Sequence, residues 1–171
     1  MQDVLIVVDM QNDFIDGTLG TPEAQTIVPS VVSLVKSHKG RVIFTKDTHS
    51  PDYLSTNEGK NLPVEHCIKG THGWEICDSL KEYATEVIEK PTFGSLDLAE
   101  QLKEENKKNP IGKITLVGLC TDICVISNTL LLKATFPEAE ISVVSNACAG
   151  VTPESHENAL NAMKMCQITI K

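Results

Sequence analysis

The chain alternates two kinds of largely apolar pattern, and this alternation limits its fold more than any other feature. Val4–Val8, Arg41–Thr45, Val87–Ile88 with its neighbours, Ile114–Val117 and Ile141–Val144 are short, β-rich and continuous, and Ile168–Ile170 adds a sixth. Continuous runs, as opposed to an in–out alternation, mark strands covered on both faces, which is the habit of parallel sheets. Between them lie stretches with apolar residues at helical spacing: Ile27–Lys36, Trp74–Tyr83, Leu96–Glu105, Asp122–Ala134 and Pro153–Met165. Thr152-Pro153 opens the last with a hydroxyl cap and a proline at the first helical position. Strand and helix in turn predict an α/β doubly wound fold: a mainly parallel six-stranded sheet, helices on both faces and right-handed crossovers. No repeat, low-complexity tract or linker interrupts the chain, so one domain over residues 1–171 is expected.

The net charge of -8, from 15 basic and 23 acidic side chains, argues against nucleic acid or an anionic membrane as partner, since either would be repelled. No apolar run approaches the ~20 residues that span a bilayer. Met1 leads straight into a strand pattern without a basic leader or cleavage site, so the expected location is cytoplasmic. There the six cysteines would stay reduced, and no CxxC pair suggests a zinc knuckle. Cys120 and Cys124, four apart, leave a redox pair open as an alternative.

In an open parallel sheet, ligands bind beyond the carboxyl ends of the strands. The first strand pattern ends at Asp9, the second at Asp47-Thr-His49, the third at Glu89-Lys90, and the fourth leads through Gly118 to Cys120 and Cys124. Four consecutive strands thus bring carboxylate, carboxylate with imidazole, ammonium and thiol to one edge. Thr121 is placed to cap the helix after the fourth strand. Cys124 then falls in the first turn, where the helix dipole favours thiolate and the turn amides can hold an oxyanion. Asp9 beside it can act as general base, and Lys90 can stabilise both anions.

Asp47 and His49, two apart in an extended segment, project to one side and can share a metal ion. Between Asp47 and Trp74 runs a long connection without clear periodicity, of the kind that usually carries function. It holds Glu58 and His66, which can complete a ligand set, and His72, which reads as loop surface. Carboxylate and imidazole without thiolate suit zinc, manganese or iron.

Five segments, in this order, carry a resemblance that covers nearly the whole chain: Val7-Val-Asp-Met-Gln-Asn-Asp-Phe14, Thr45-Lys-Asp-Thr-His49, Pro63-Val-Glu-His-Cys67 with Gly70, Glu89-Lys-Pro-Thr-Phe-Gly94, and Gly118-Leu-Cys-Thr-Asp-Ile-Cys-Val125. The chain resembles the isochorismatase-like cysteine hydrolases, and within them the nicotinamidase/pyrazinamidase group. The resemblance implies a catalytic triad of Cys124, Asp9 and Lys90. It also implies a cis peptide at Leu119–Cys120 and an oxyanion hole from the backbone N–H groups of Cys120 and Cys124. It implies a divalent transition metal, zinc or else manganese or iron, on Asp47, His49, Glu58 and His66, where it holds the substrate's pyridine nitrogen. The implied substrate is a small amide, nicotinamide, hydrolysed through a cysteine thioester. Phe14 and Phe93 are candidate pocket residues. Leu62 stands where the group usually has a tryptophan against the ring, and Glu65 is an extra residue before His66. That departure keeps another substrate open, an N-carbamoyl or ureido amide or a vinyl ether. Relatives are often dimers or larger, so a homo-oligomer is also expected, although no apolar stripe marks its interface.

Overall fold

The computed structural model describes residues 1–171. Six strands, β1 (Gln2–Val8), β2 (Arg41–Asp47), β3 (Val87–Lys90), β4 (Ile111–Leu119), β5 (Glu140–Ala149) and β6 (Thr169–Ile170), form one sheet in the order β3-β2-β1-β4-β5-β6. Every neighbouring pair is parallel, as the continuous apolar runs require. The winding reverses between β1 and β4, which opens a crevice at their carboxyl ends.

Seven helices accompany the sheet: α1 (Asn12–Ile15), α2 (Pro22–Ser37), α3 (Asn57–Asn61), α4 (Asp78–Lys81), α5 (Leu96–Asn106), α6 (Ile126–Thr135) and α7 (Pro153–Met165). Strand β1 explains why both faces are covered. Val4, Ile6 and Val8 point into one core with Leu98 and Leu102 of α5, Leu132 of α6, and Leu160 and Met163 of α7. Leu5 and Val7 point into the other, with Ile27, Val31 and Val35 of α2 and Leu80 of α4. Each such side chain contributes roughly 1.5–3 kcal/mol on burial, so the strand ends stand on a rigid base. No helix is long and apolar enough to cross a membrane.

Two backbone features shape the crevice. Gly118 has φ +115, and a Cβ there would lie 2.1 Å from the Val8 carbonyl oxygen, so only glycine lets β4 approach β1 this closely. Asp9 turns sharply with φ 47, a conformation in which Asp is several-fold enriched among non-glycine residues. Its N–H donates to both the carbonyl and the hydroxyl of Thr45, each at 3.2 Å.

Three local expectations are corrected. The helix expected over Trp74–Tyr83 shrinks to α4, because Trp74 lies in a turn and Ile76 and Cys77 run beside the segment after β1. Ile76 bridges Gln11 antiparallel, and the Cys77 N–H donates to the Met10 carbonyl at 3.0 Å. The long connection after Asp47 is not devoid of structure; it contains a 3₁₀ turn (Tyr53–Ser55) and α3. Thr121 does not cap a helix: a π-turn (Thr121–Val125) precedes α6, its cap position falls to Cys120, and the Thr121 hydroxyl is engaged elsewhere.

Candidate active site

Asp9, Lys90 and Cys124 converge in the crevice. All three are buried, with Cys124 only 4% exposed. Lys90 Nζ lies 2.7 Å from Asp9 Oδ2, and it donates to Cys124 Sγ at 3.3 Å and to the Thr92 carbonyl at 3.0 Å. The Thr45 hydroxyl donates to Asp9 Oδ1 at 2.6 Å. Burial pushes the Asp9 carboxyl above its ordinary range, against the pull of Lys90. Burial works to discharge Lys90, but Asp9, Cys124 and Asp47 outweigh it and hold the ammonium charged. Burial, with Asp9 adding to it, pushes the Cys124 thiol well above its ordinary value despite Lys90. The helix-end preference for thiolate expected from sequence is opposed here: burial and the Asp9 carboxylate both favour the protonated sulfur. That is the arrangement a cysteine needs when a neighbouring base takes its proton during reaction.

The cis peptide lies at Leu119–Cys120. The Cys120 carbonyl accepts the N–H groups of Ile123 and Val125, at 3.1 and 3.0 Å, and so folds the backbone around the thiol. All six cysteines are free thiols, and burial pushes Cys120 up to about 12.

Asp47, His49, Glu58 and His66 form the second group, their ligand atoms all within 4.8 Å of one another. Asp47 Oδ2 is 2.9 Å from His49 Nε2 and 3.6 Å from His66 Nε2; Glu58 Oε1 is 3.5 and 3.8 Å from the same two nitrogens. His66 Nδ1 lies 2.8 Å from the Val64 carbonyl, which requires it to be the protonated nitrogen and turns the Nε2 lone pair inward. Asp47 Oδ1 is buried without a hydrogen-bond donor. Two carboxylates and two imidazoles aimed at one point fit a divalent transition metal by donor type and number. Burial raises the Asp47 carboxyl, yet hydrogen bonds from His49 and His66, with Lys90, leave it below its usual range. The two groups touch where Lys90 Nζ comes within 3.5 Å of Asp47 Oδ1.

A family profile described as the isochorismatase domain matches residues 3–171. The chain belongs to the isochorismatase family. A nicotinamidase of Schizosaccharomyces pombe is 27% identical over 97% of this chain and 91% of its own length. A pyrazinamidase of Pyrococcus horikoshii, solved in complex with zinc, superposes with TM-score 0.84 at 28% identity, covering 100% of this chain and 99% of that one. An N-carbamoylsarcosine amidase of Thermoplasma acidophilum superposes with TM-score 0.81 at 29% identity, covering 100% and 96%.

The remaining candidates of this isochorismatase-family hydrolase are less tightly held. The Phe14 ring packs 5.6 Å from the His66 ring. Leu62 is 38% exposed at the end of α3, and Phe93 is 45% exposed after β3. His72 is exposed, as read from sequence.

Sequence reasoning missed the polar side chains that hold both groups in place. Gln11, fully buried, accepts the Asp47 N–H at 2.7 Å and donates to the carbonyls of Asp47 and Trp74, at 2.8 and 2.9 Å. Asp13 accepts the Cys67 N–H at 2.7 Å and so fixes the residue after His66. Tyr53, also fully buried, donates to the Leu62 carbonyl at 2.9 Å and packs 4.7 Å from His49 and 5.0 Å from His66. Asn128 donates to the carbonyls of Cys124 and Phe93 and accepts the Ser95 N–H, joining the nucleophile turn to the segment after Lys90. Gln11 and Asp13, polar residues just after an apolar strand, were the available signal; Tyr53 and Asn128 gave none outside the fold.

Proposed function

We propose that residues 1–171 act as one isochorismatase domain that hydrolyses nicotinamide to nicotinic acid and ammonia through a thioester on Cys124. The observation that carries this reading is the meeting of Asp9, Lys90 and Cys124 beside a two-carboxylate, two-imidazole cluster. Similarity to a nicotinamidase and to a zinc-bound pyrazinamidase supports it.

Asp9 takes the proton of Cys124, and the sulfur attacks the amide carbon. The oxyanion is received by the backbone N–H groups of Cys120 and Cys124. Asp9 then returns the proton to the leaving nitrogen, and ammonia departs. Asp9 next deprotonates a water, which attacks the thioester and releases the acid with the thiol restored. Throughout, the Lys90 ammonium stabilises whichever of Asp9 and Cys124 is negative, and burial excludes competing water. Asp47, His49, Glu58 and His66 would hold a divalent metal, zinc by similarity, which supplies a Lewis-acid point for the pyridine nitrogen. Phe14, Leu62 and Phe93 are the proposed walls for the ring. Six free thiols suit a reducing compartment, the cytoplasm.

Ammonia release from nicotinamide, with and without chelator, tests the reading: release is expected, and its loss on chelation should reverse with zinc. A second reading is favoured by Leu62 at the tryptophan position and by similarity to an N-carbamoylsarcosine amidase. It expects release from N-carbamoyl amides and indifference to chelators.

A further inference from the structure

The nucleophile turn is held from outside the crevice at two consecutive residues. Thr121, fully buried at the head of the π-turn, has its hydroxyl 2.7 Å from Nδ1 of His156. The next residue, Asp122, accepts the Val151 N–H on both carboxylate oxygens, at 3.2 and 3.3 Å. Val151 and His156 belong to the junction between β5 and α7.

That junction is itself rigid. Thr152 and Ser155 cap α7 reciprocally, and the His156 N–H donates to the Thr152 carbonyl at 3.0 Å. Gly150 passes so close that a Cβ there would lie 2.8 Å from the His156 backbone nitrogen. The imidazole is thus fixed on a capped first turn and aimed at the one hydroxyl in the turn that carries the sulfur. The π-turn closes through i→i−5 bonds from the Val125 and Ile126 N–H groups to the Cys120 and Thr121 carbonyls, and the His156 contact adds a hold from outside it.

We infer that His156 is a positioning residue: through the Thr121 hydroxyl it fixes the π-turn so that the Cys124 sulfur meets Lys90 and Asp9. The inference rests on Cys124 being the nucleophile. It needs no contact between His156 and substrate.

The test replaces His156 by Ala and by Asn, whose amide can reach where Nδ1 stands, and combines His156→Ala with Thr121→Val. Readouts are kcat and KM for amide hydrolysis, the rate of Cys124 alkylation by iodoacetamide, and Tm. His156→Ala should lower kcat roughly ten- to hundredfold, the scale expected of a misplaced reacting group. KM should stay within about twofold and Cys124 alkylation should change, because it is the sulfur that has moved. His156→Asn should recover most of the loss. The double variant should be no worse than Thr121→Val alone, since both changes break one contact. Unchanged kcat in His156→Ala, additive losses in the double variant, or a loss that only tracks Tm would each overturn the inference. Cys124→Ala separates it from the reading beneath it: turnover in that variant removes the nucleophile itself, whereas an inactive Cys124→Ala beside a fully active His156→Ala removes only the brace.

Discussion

Asp9, Lys90 and Cys124 stand at the ends of strands or in the turn directly after one, whereas three of the four cluster residues, His49, Glu58 and His66, come from the connection between β2 and β3. Geometry in the first group comes from the sheet: β1, β2 and β4 are in register, and Gly118 lets β4 close on β1. In the second a single backbone bridge between His49 and Ile68 is reinforced by side chains. Gln11 pairs with both backbone groups of Asp47, Asp13 holds the residue after His66, and Tyr53 packs against both imidazoles, which also touch each other. A site of this kind keeps its reactive atoms on the rigid element and leaves recognition to a segment that can vary.

The largest effect should come from the base. Asp9→Asn should lower kcat/KM by about 10²–10⁴, the usual reach of general base catalysis. In the wild type the acid limb of the kcat/KM profile should lie above the ordinary carboxylate value near 4, because burial raises Asp9, so activity falls as pH drops through that raised value. A pH series on both proteins checks this; an acid limb that survives in Asp9→Asn would assign it to another group.

Removing one cluster ligand should separate the two halves. His66→Ala should lose most of its bound divalent metal by elemental analysis and raise KM strongly, while Cys124 alkylation changes little. Comparable loss of thiol reactivity would show that the contact between Asp47 and Lys90 binds the halves into one unit. Asp13→Asn, which keeps shape but weakens the hold on Cys67, should cost about tenfold in affinity for the divalent metal, the lower end of what outer partners of metal ligands contribute.

These regions also differ in how far the sequence revealed them. The parallel sheet was legible because strands covered on both faces must be apolar throughout, and the strand ends were legible because a charge that follows such a run has few places to go. Asp47 and His49 followed from strand period alone. The Trp74–Tyr83 helix was misread because Ile76 and Leu80 satisfy a helical period, while the bridge that overrides it depends on Gln11, more than sixty residues away. The thiolate expectation is opposed for a related reason: a dipole argument is local, and the burial that works against it is made by the whole fold. Tyr53 sits in a polar stretch whose neighbours gave no sign that its ring would be fully buried.

Two smaller effects complete the series. Burial pushes Cys120 and Cys148 up to about 12, with Asp122 adding to the effect at Cys120. Unfolded thiols ionise near 8.5, so stability held below that pH is lost as pH rises toward 12, by up to about 1.4 kcal/mol per thiol per pH unit. Thermal melts from pH 7 to 10.5 should fall accordingly, and Cys148→Ala should flatten the slope. Tyr53→Phe removes one hydrogen bond to Leu62 and should cost about 1 kcal/mol, read from denaturant midpoints, with the triad's reactivity unchanged.

The most direct test is to quench the enzyme in acid during turnover of nicotinamide and map the adduct by mass spectrometry. A nicotinoyl thioester on Cys124, which builds up and decays with turnover and is absent from Cys124→Ala, is the predicted result. Acyl transfer to any other residue, or ammonia released by the Cys124→Ala protein at the wild-type rate, would contradict it.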